Sequence, residues 1–82
     1  MWFVYIIKCK DNSLYTGVTN DLQRRFQEHK EGRGAKYTAS HKPVKLEYFE
    51  EFENRSKSLK REIEIKKLTH RKKKDLIKSS IS

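Results

Sequence analysis

The sequence is poor in cysteine, proline and long apolar runs, and each shortage narrows what the chain can be. A lone cysteine, Cys9, excludes an internal disulfide and fits a reducing compartment. No apolar run approaches the ~20 residues needed to span a bilayer. The stretch MWFVYII is too short for a signal-peptide core with its flanks and reads better as a strand. Cys9, His29, His41 and His70 show no paired-ligand spacing, which argues against zinc. No repeat and no long linker divides the 82 residues. The expectation is one cytoplasmic domain spanning residues 1–82, with a small core.

Charge is what the sequence has in excess, and it is unevenly spread. Residues 1–54 carry nine Lys/Arg against eight Asp/Glu, whereas residues 55–82 carry eleven against three. A basic segment joined to a near-neutral one is the pattern of a polyanion binder. The other reading is a solvated helix surface kept soluble by its lysines.

The run WFVYIIKC is continuously apolar and β-branched, as expected of a strand covered on both faces. The turn formers KDNS separate it from a second strand, LYTGVT, so the pair reads as an antiparallel hairpin. DLQRRFQEHKEG reads as a helix with Asn20 as N-cap and Gly32 just beyond its end. GRGAKYTASHKP reads as a loop with at most one short turn, and VKLEYFEEF as a third strand. Asn54 caps a second helix, and Thr69 a third whose end frays. The order ββαβαα predicts an α+β fold, a three-stranded antiparallel sheet flanked by helices.

Helical geometry sorts the polar residues. At 100° per residue from Leu22, Phe26 falls at about 40°, His29 at about 340°, Arg25 at about 300° and Arg24 at about 200°. Arg25 and His29 therefore border the buried stripe, and Arg24 faces solvent. From Leu59, Ile63 falls at about 40°, Ile65 at about 240° and Glu62 at about 300°, inside the apolar arc. A carboxylate there needs a cation or a metal. Simpler pairings also account for these residues: Glu62 with Lys66, Arg25 with Glu28 or a carboxylate on the third strand, and His29 with the helix dipole. Gly17 lies two residues after Tyr15, on the same strand face, and marks either a bulge or a close approach. Tyr5 joins Tyr15 and Gly17 on that face only if the hairpin register sums to an even number.

Tyr5 in VYII stands ten residues before Tyr15 of YTG, Arg25 follows ten residues later, and His29 four beyond that. A later helix carries REIEIKKL. Together these resemble the GIY-YIG nuclease domain, in particular its small stand-alone, excision-repair-nuclease-like members. The resemblance covers Phe3 to about Leu76. It implies metal-dependent cutting of DNA phosphodiester bonds, with repair or recombination as the expected setting. It places Tyr5 and Tyr15 at the two motif tyrosines, Arg25 at the catalytic arginine, His29 one turn later, and Glu62 at the Mg²⁺ or Mn²⁺ ligand. By the family pattern Tyr5 is the general base and Gly17 the motif glycine. The first motif is degenerate, Val4-Tyr5 standing for Gly-Ile-Tyr, and no asparagine follows Glu62.

The implied partner is DNA, with RNA open as well, and no membrane; a monomer is favoured. Arg24, Lys36, Lys42, Lys66, Lys72 and Lys73 are the candidate backbone contacts, and Tyr37 and His41 lie where substrate can approach. The competing reading is a basic module or adaptor on the same fold that binds nucleic acid and cuts nothing.

Overall fold

A computed structural model describes residues 1–81. Three strands, β1 (Trp2–Cys9), β2 (Leu14–Thr19) and β3 (Pro43–Phe52), form an antiparallel sheet in the order β2-β1-β3. Its central strand is the uninterrupted apolar run, with Val4, Tyr5, Ile6, Ile7 and Cys9 all buried. Helix α1 (Leu22–Lys30) follows the hairpin, α2 (Lys36–His41) precedes β3, and α3 (Arg55–Lys66) and α4 (His70–Ile81) close the chain. The fold is α+β as the sequence predicts, with one addition. The segment read as a loop contains α2, six residues long, too short for a 3.6-residue period to register.

The hairpin register pairs Tyr5 with Gly17 and Ile7 with Tyr15. The sum is even, so Tyr5, Tyr15 and Gly17 share a face. The turn is made by Asn12 in the left-handed region, φ 69°, and by Asp11, whose Oδ1 accepts from the Ser13 N–H at 3.0 Å.

The sheet separates two cores. On one face Val4 and Ile6 pack with Ile65 of α3 and Ile77 of α4. On the other, Tyr5, Ile7 and Cys9 pack with Tyr15, Leu22, Phe26 and Leu46, so α1 covers that face.

Helix ends explain the boundaries. Asp21 rather than Asn20 caps α1, accepting from the Arg24 N–H at 3.1 Å. Asn20 instead accepts from the Arg24 guanidinium at 3.3 Å. Both residues suit an N-cap, and a one-residue slip is invisible in composition. Gly32, φ 79°, ends α1 as expected. Asn54 caps α3, accepting from the Lys57 N–H at 2.9 Å, and Thr69 caps α4, accepting from the Lys72 N–H at 3.2 Å. Helix α4 runs through HRKKKDLIKSS, whose end is expected from sequence to fray, and on to Ile81.

The rotation of α3 is fixed by Arg61. Its Nε and Nη2 reach Glu50 of β3 at 3.0–3.1 Å, and its Nη1 reaches Glu64 at 3.0 Å. The Tyr48 hydroxyl donates to the same Glu50. This turns the buried arc toward Ser58 and Ile65 and leaves Ile63 55% exposed, against the expectation that Ile63 bounds the core. Glu62 stays at the edge of the arc, its side chain 17% exposed.

Candidate functional site

Strand β1 and helix α1 bring Tyr5 and His29 into contact. The Tyr5 hydroxyl lies 2.8 Å from His29 Nε2, and both side chains are buried. Tyr15 completes a ring cluster, its centroid 5.2 Å from His29 and 6.4 Å from Tyr5. Burial of an aromatic alcohol and an imidazole demands polar partners. His29 finds its second one in Thr38 of α2, whose Oγ1 lies 2.7 Å from Nδ1.

Two glycines make this contact possible. A Cβ on Gly17 would lie 2.6 Å from Tyr5 Cζ, and one on Gly34 would lie 2.5 Å from His29 Cγ. Gly17 therefore marks a close approach, the tyrosine ring lying over its backbone, and no bulge falls there in the β1–β2 register.

Arg25 borders the cluster from one turn earlier on α1. Its Nη2 donates to the Gly34 carbonyl at 2.7 Å and its Nη1 to Glu28 at 3.1 Å. The Arg25–Glu28 pair named from sequence is thus present, and it coexists with a place beside Tyr5.

Burial dominates the electrostatics. It pushes the Tyr5 phenol up to about 12; the neighbouring Arg25 guanidinium pulls it down, while Tyr15 and the Glu62 carboxylate add to the rise. Burial likewise pushes His29 down to about 4, with the Arg25 charge helping and Glu28 opposing. His29 is therefore a neutral hydrogen-bonding group at pH 7, not a cation serving the helix dipole.

Glu62 comes from α3, which packs on β1 and β2 from the face opposite α1. Its charge is felt at Tyr5. Its Oε2 also lies 3.3 Å from Lys66 Nζ, the i,i+4 pair named from sequence. Among the described residues no three His, Cys, Asp or Glu side chains gather into a metal-binding group. A lone, mostly buried carboxylate still fits Mg²⁺ or Mn²⁺, which keep several waters and take phosphate oxygens as further ligands.

The remaining candidates are dispersed. Arg24 is exposed beside Asn20, Lys36 is the first residue of α2 and Lys42 its C-cap. Lys72 and Lys73 lie in the first turn of α4, on the face away from Tyr5. Tyr37 stacks on His41 at 3.9 Å between ring centroids and on Tyr15 at 5.9 Å, which links α2 to the ring cluster. Sequence reasoning missed Thr38 and Gly34. No periodicity marks a buried threonine in so short a helix, and nothing local distinguishes Gly34 from other loop glycines.

The three-stranded α+β domain thus gathers two tyrosines, an arginine and a histidine beside a helix-borne glutamate. The GIY-YIG catalytic domain family model matches residues 1–75. The chain belongs to the GIY-YIG family, a family of nucleases that generally use divalent metals. It is 57% identical to a UPF0213 protein of Clostridium perfringens over 96% of this chain and 85% of that protein. A UPF0213 protein of Haloquadratum walsbyi is 54% identical over 90% of this chain and 83% of its own length. The solution NMR structure of a UPF0213 protein from Bacillus halodurans superposes with a TM-score of 0.60 at 42% identity, covering 95% of this chain and 84% of that one. Family membership implies a nucleic-acid substrate. Among the described residues no helix is long and apolar enough to cross a membrane.

Proposed function

We propose that residues 1–82 act as a single-domain, metal-dependent endonuclease that hydrolyses DNA phosphodiester bonds, in repair or recombination. The observation that carries this reading is the buried contact of Tyr5 with His29 Nε2 at 2.8 Å, flanked by Arg25 and Tyr15.

Hydrolysis needs a proton acceptor for water and positive charge around the pentacovalent phosphate. A phenol held at about 12 is a weak acid and cannot rest as phenolate at neutral pH. It can act as a conduit: its oxygen takes a proton from the attacking water as its own proton passes to His29 Nε2. The water oxygen then bonds to phosphorus while the P–O bond to the leaving oxygen breaks, and His29 later releases the proton to solvent. Arg25 stays charged at any working pH and presents a planar fork to the phosphate oxygens. Tyr15 positions that phosphate. Glu62 would hold a divalent ion, which when bound would supply positive charge beside the phosphate. Arg24, Lys36, Lys42, Lys72 and Lys73 add sequence-independent attraction for the backbone, while Lys66 is engaged by Glu62.

A second reading, a nucleic-acid-binding adaptor that does not cut, is supported by Lys66, which already neutralises Glu62. One experiment separates the two. Supercoiled plasmid and branched DNA are incubated with Mg²⁺, Mn²⁺ or EDTA and wild type, Glu62→Ala or Arg25→Ala, with filter binding in parallel. Metal-dependent nicking lost in both variants, with binding kept by Glu62→Ala, is the expected result. Binding without cleavage on every substrate, unchanged by Glu62→Ala, establishes the adaptor.

A further inference from the structure

The donors and acceptors around His29 form a chain whose direction is set at its Thr38 end. Thr38 sits three residues into the segment that opens at Ala35, the N-cap of α2, and its hydroxyl donates back to the Ala35 carbonyl at 3.2 Å. A threonine hydroxyl has one proton and two lone pairs. With the proton committed to Ala35, Oγ1 faces His29 Nδ1 at 2.7 Å as an acceptor, so Nδ1 carries the hydrogen. At the other end, the Arg25 guanidinium lies beside the Tyr5 oxygen and can only donate. In the neutral ring, a hydrogen on Nδ1 leaves Nε2 bare, and the Tyr5 hydroxyl then donates to it while accepting from Arg25.

We propose that Thr38 fixes the tautomer of His29, keeping the hydrogen on Nδ1 and the bare Nε2 aimed at the Tyr5 hydroxyl, and is thereby a positioning residue for proton removal from water. The role in the reaction rests on the nuclease reading above; the tautomer does not. Helix α2, which the sequence presents as loop, delivers this hydroxyl to the buried ring. The opposite tautomer would point an N–H at the Tyr5 oxygen, and His29 could accept nothing from it. Because the ring is buried and neutral at pH 7, with its site closed by Gly34 on one side, solvent cannot supply the missing partner. Among the described residues no other hydroxyl or carbonyl is hydrogen-bonded to Nδ1.

The test is ring-nitrogen NMR on uniformly ¹⁵N-labelled protein at pH 7, read alongside plasmid nicking. Wild type is expected to show a protonated Nδ1 and a bare Nε2 for His29. Thr38→Val removes the hydroxyl at nearly constant shape and is expected to move the hydrogen to Nε2. Thr38→Ser restores the acceptor and is expected to restore the wild-type pattern. Nicking is expected to fall about tenfold or more in Thr38→Val at unchanged DNA binding, and to recover in Thr38→Ser. A hydrogen on Nε2 in wild type overturns the assignment, and that measurement needs no variant to fold. Retention of the Nδ1–H form in a folded Thr38→Val overturns the role of Thr38. The expected tautomers together with a wild type that cuts no DNA uphold the fixing of the ring and overturn the nuclease reading instead.

Discussion

Tyr5 and Gly17 are direct partners across β1 and β2, and the phenol ring of one lies on the backbone of the other. The pair explains why β2, an edge strand of the sheet, carries a residue with no side chain against β1. The first prediction follows from it. Gly17→Ala places a methyl 2.6 Å from Tyr5 Cζ, in a site walled by β1, so the ring must move. Overpacking of this kind costs about 1–3 kcal/mol, measurable by urea denaturation. Nicking is expected to fall further than stability alone dictates, because the Tyr5 contact to His29 is lost. An unchanged unfolding midpoint would show that the ring has room to swing away.

The second prediction concerns pH. His29 titrates at about 4 in the folded protein against an ordinary 6.5, because burial disfavours its cation. The unfolded chain therefore binds the proton first as pH falls. Stability is full above about 6.5 and declines between there and about 4, by about 3 kcal/mol over the whole window. Asp11, held low by the Ser13 hydroxyl, and Glu31, held low by Arg33, begin to contribute their own losses only nearer the ordinary carboxylate range. Denaturation midpoints measured from pH 7 to pH 4.5 test this. The slope is expected in wild type and absent in His29→Gln, and an equal slope in both would place its origin elsewhere.

Arg25 supplies a third. Its fork reaches the Gly34 carbonyl and Glu28 at once, 2.7 and 3.1 Å away, and a lysine ammonium cannot span both. Arg25→Lys keeps the charge and is expected to cost nicking about 100-fold while shifting the unfolding midpoint little. A variant with near wild-type turnover would mean that charge alone suffices and that the planar geometry is idle.

How much of this was legible in the sequence differs by element. The strands and the long helices were, because β1 is a buried apolar run and Asn54 and Thr69 are caps with clear side-chain chemistry. The inward aim of His29 and the solvent face of Arg24 followed from helical spacing on α1 alone. The common face of Tyr5 and Gly17 did not, since it depends on hairpin register, which Asn12 settles by adopting a left-handed conformation. Helix α2 and its Thr38 were hidden because six residues carry no readable period. Ile63 misled because an apolar residue at helical spacing looks like core; Arg61, by locking onto Glu50, turns the helix and leaves it outside.

The fourth prediction separates two roles for Lys66, a contact to the DNA backbone and a partner for Glu62. Its ammonium lies 3.3 Å from the carboxylate assigned to the metal, so it competes with the ion for the same oxygen. If that competition dominates, Lys66→Ala lowers the Mg²⁺ concentration needed for half-maximal nicking and leaves the salt dependence of DNA binding nearly unchanged. If Lys66 instead neutralises a phosphate, the variant binds more weakly, the slope of log affinity against log salt shrinks by about one, and the metal requirement stays put. The first outcome is expected, because Glu62 is 17% exposed and Lys66 is its ion-pair partner, whereas Lys72 and Lys73 show no such pairing with an acidic side chain among the described residues. A metal titration of nicking run beside a salt titration of filter binding distinguishes them, and Glu62→Ala, silent in the first and intact in the second, supplies the control.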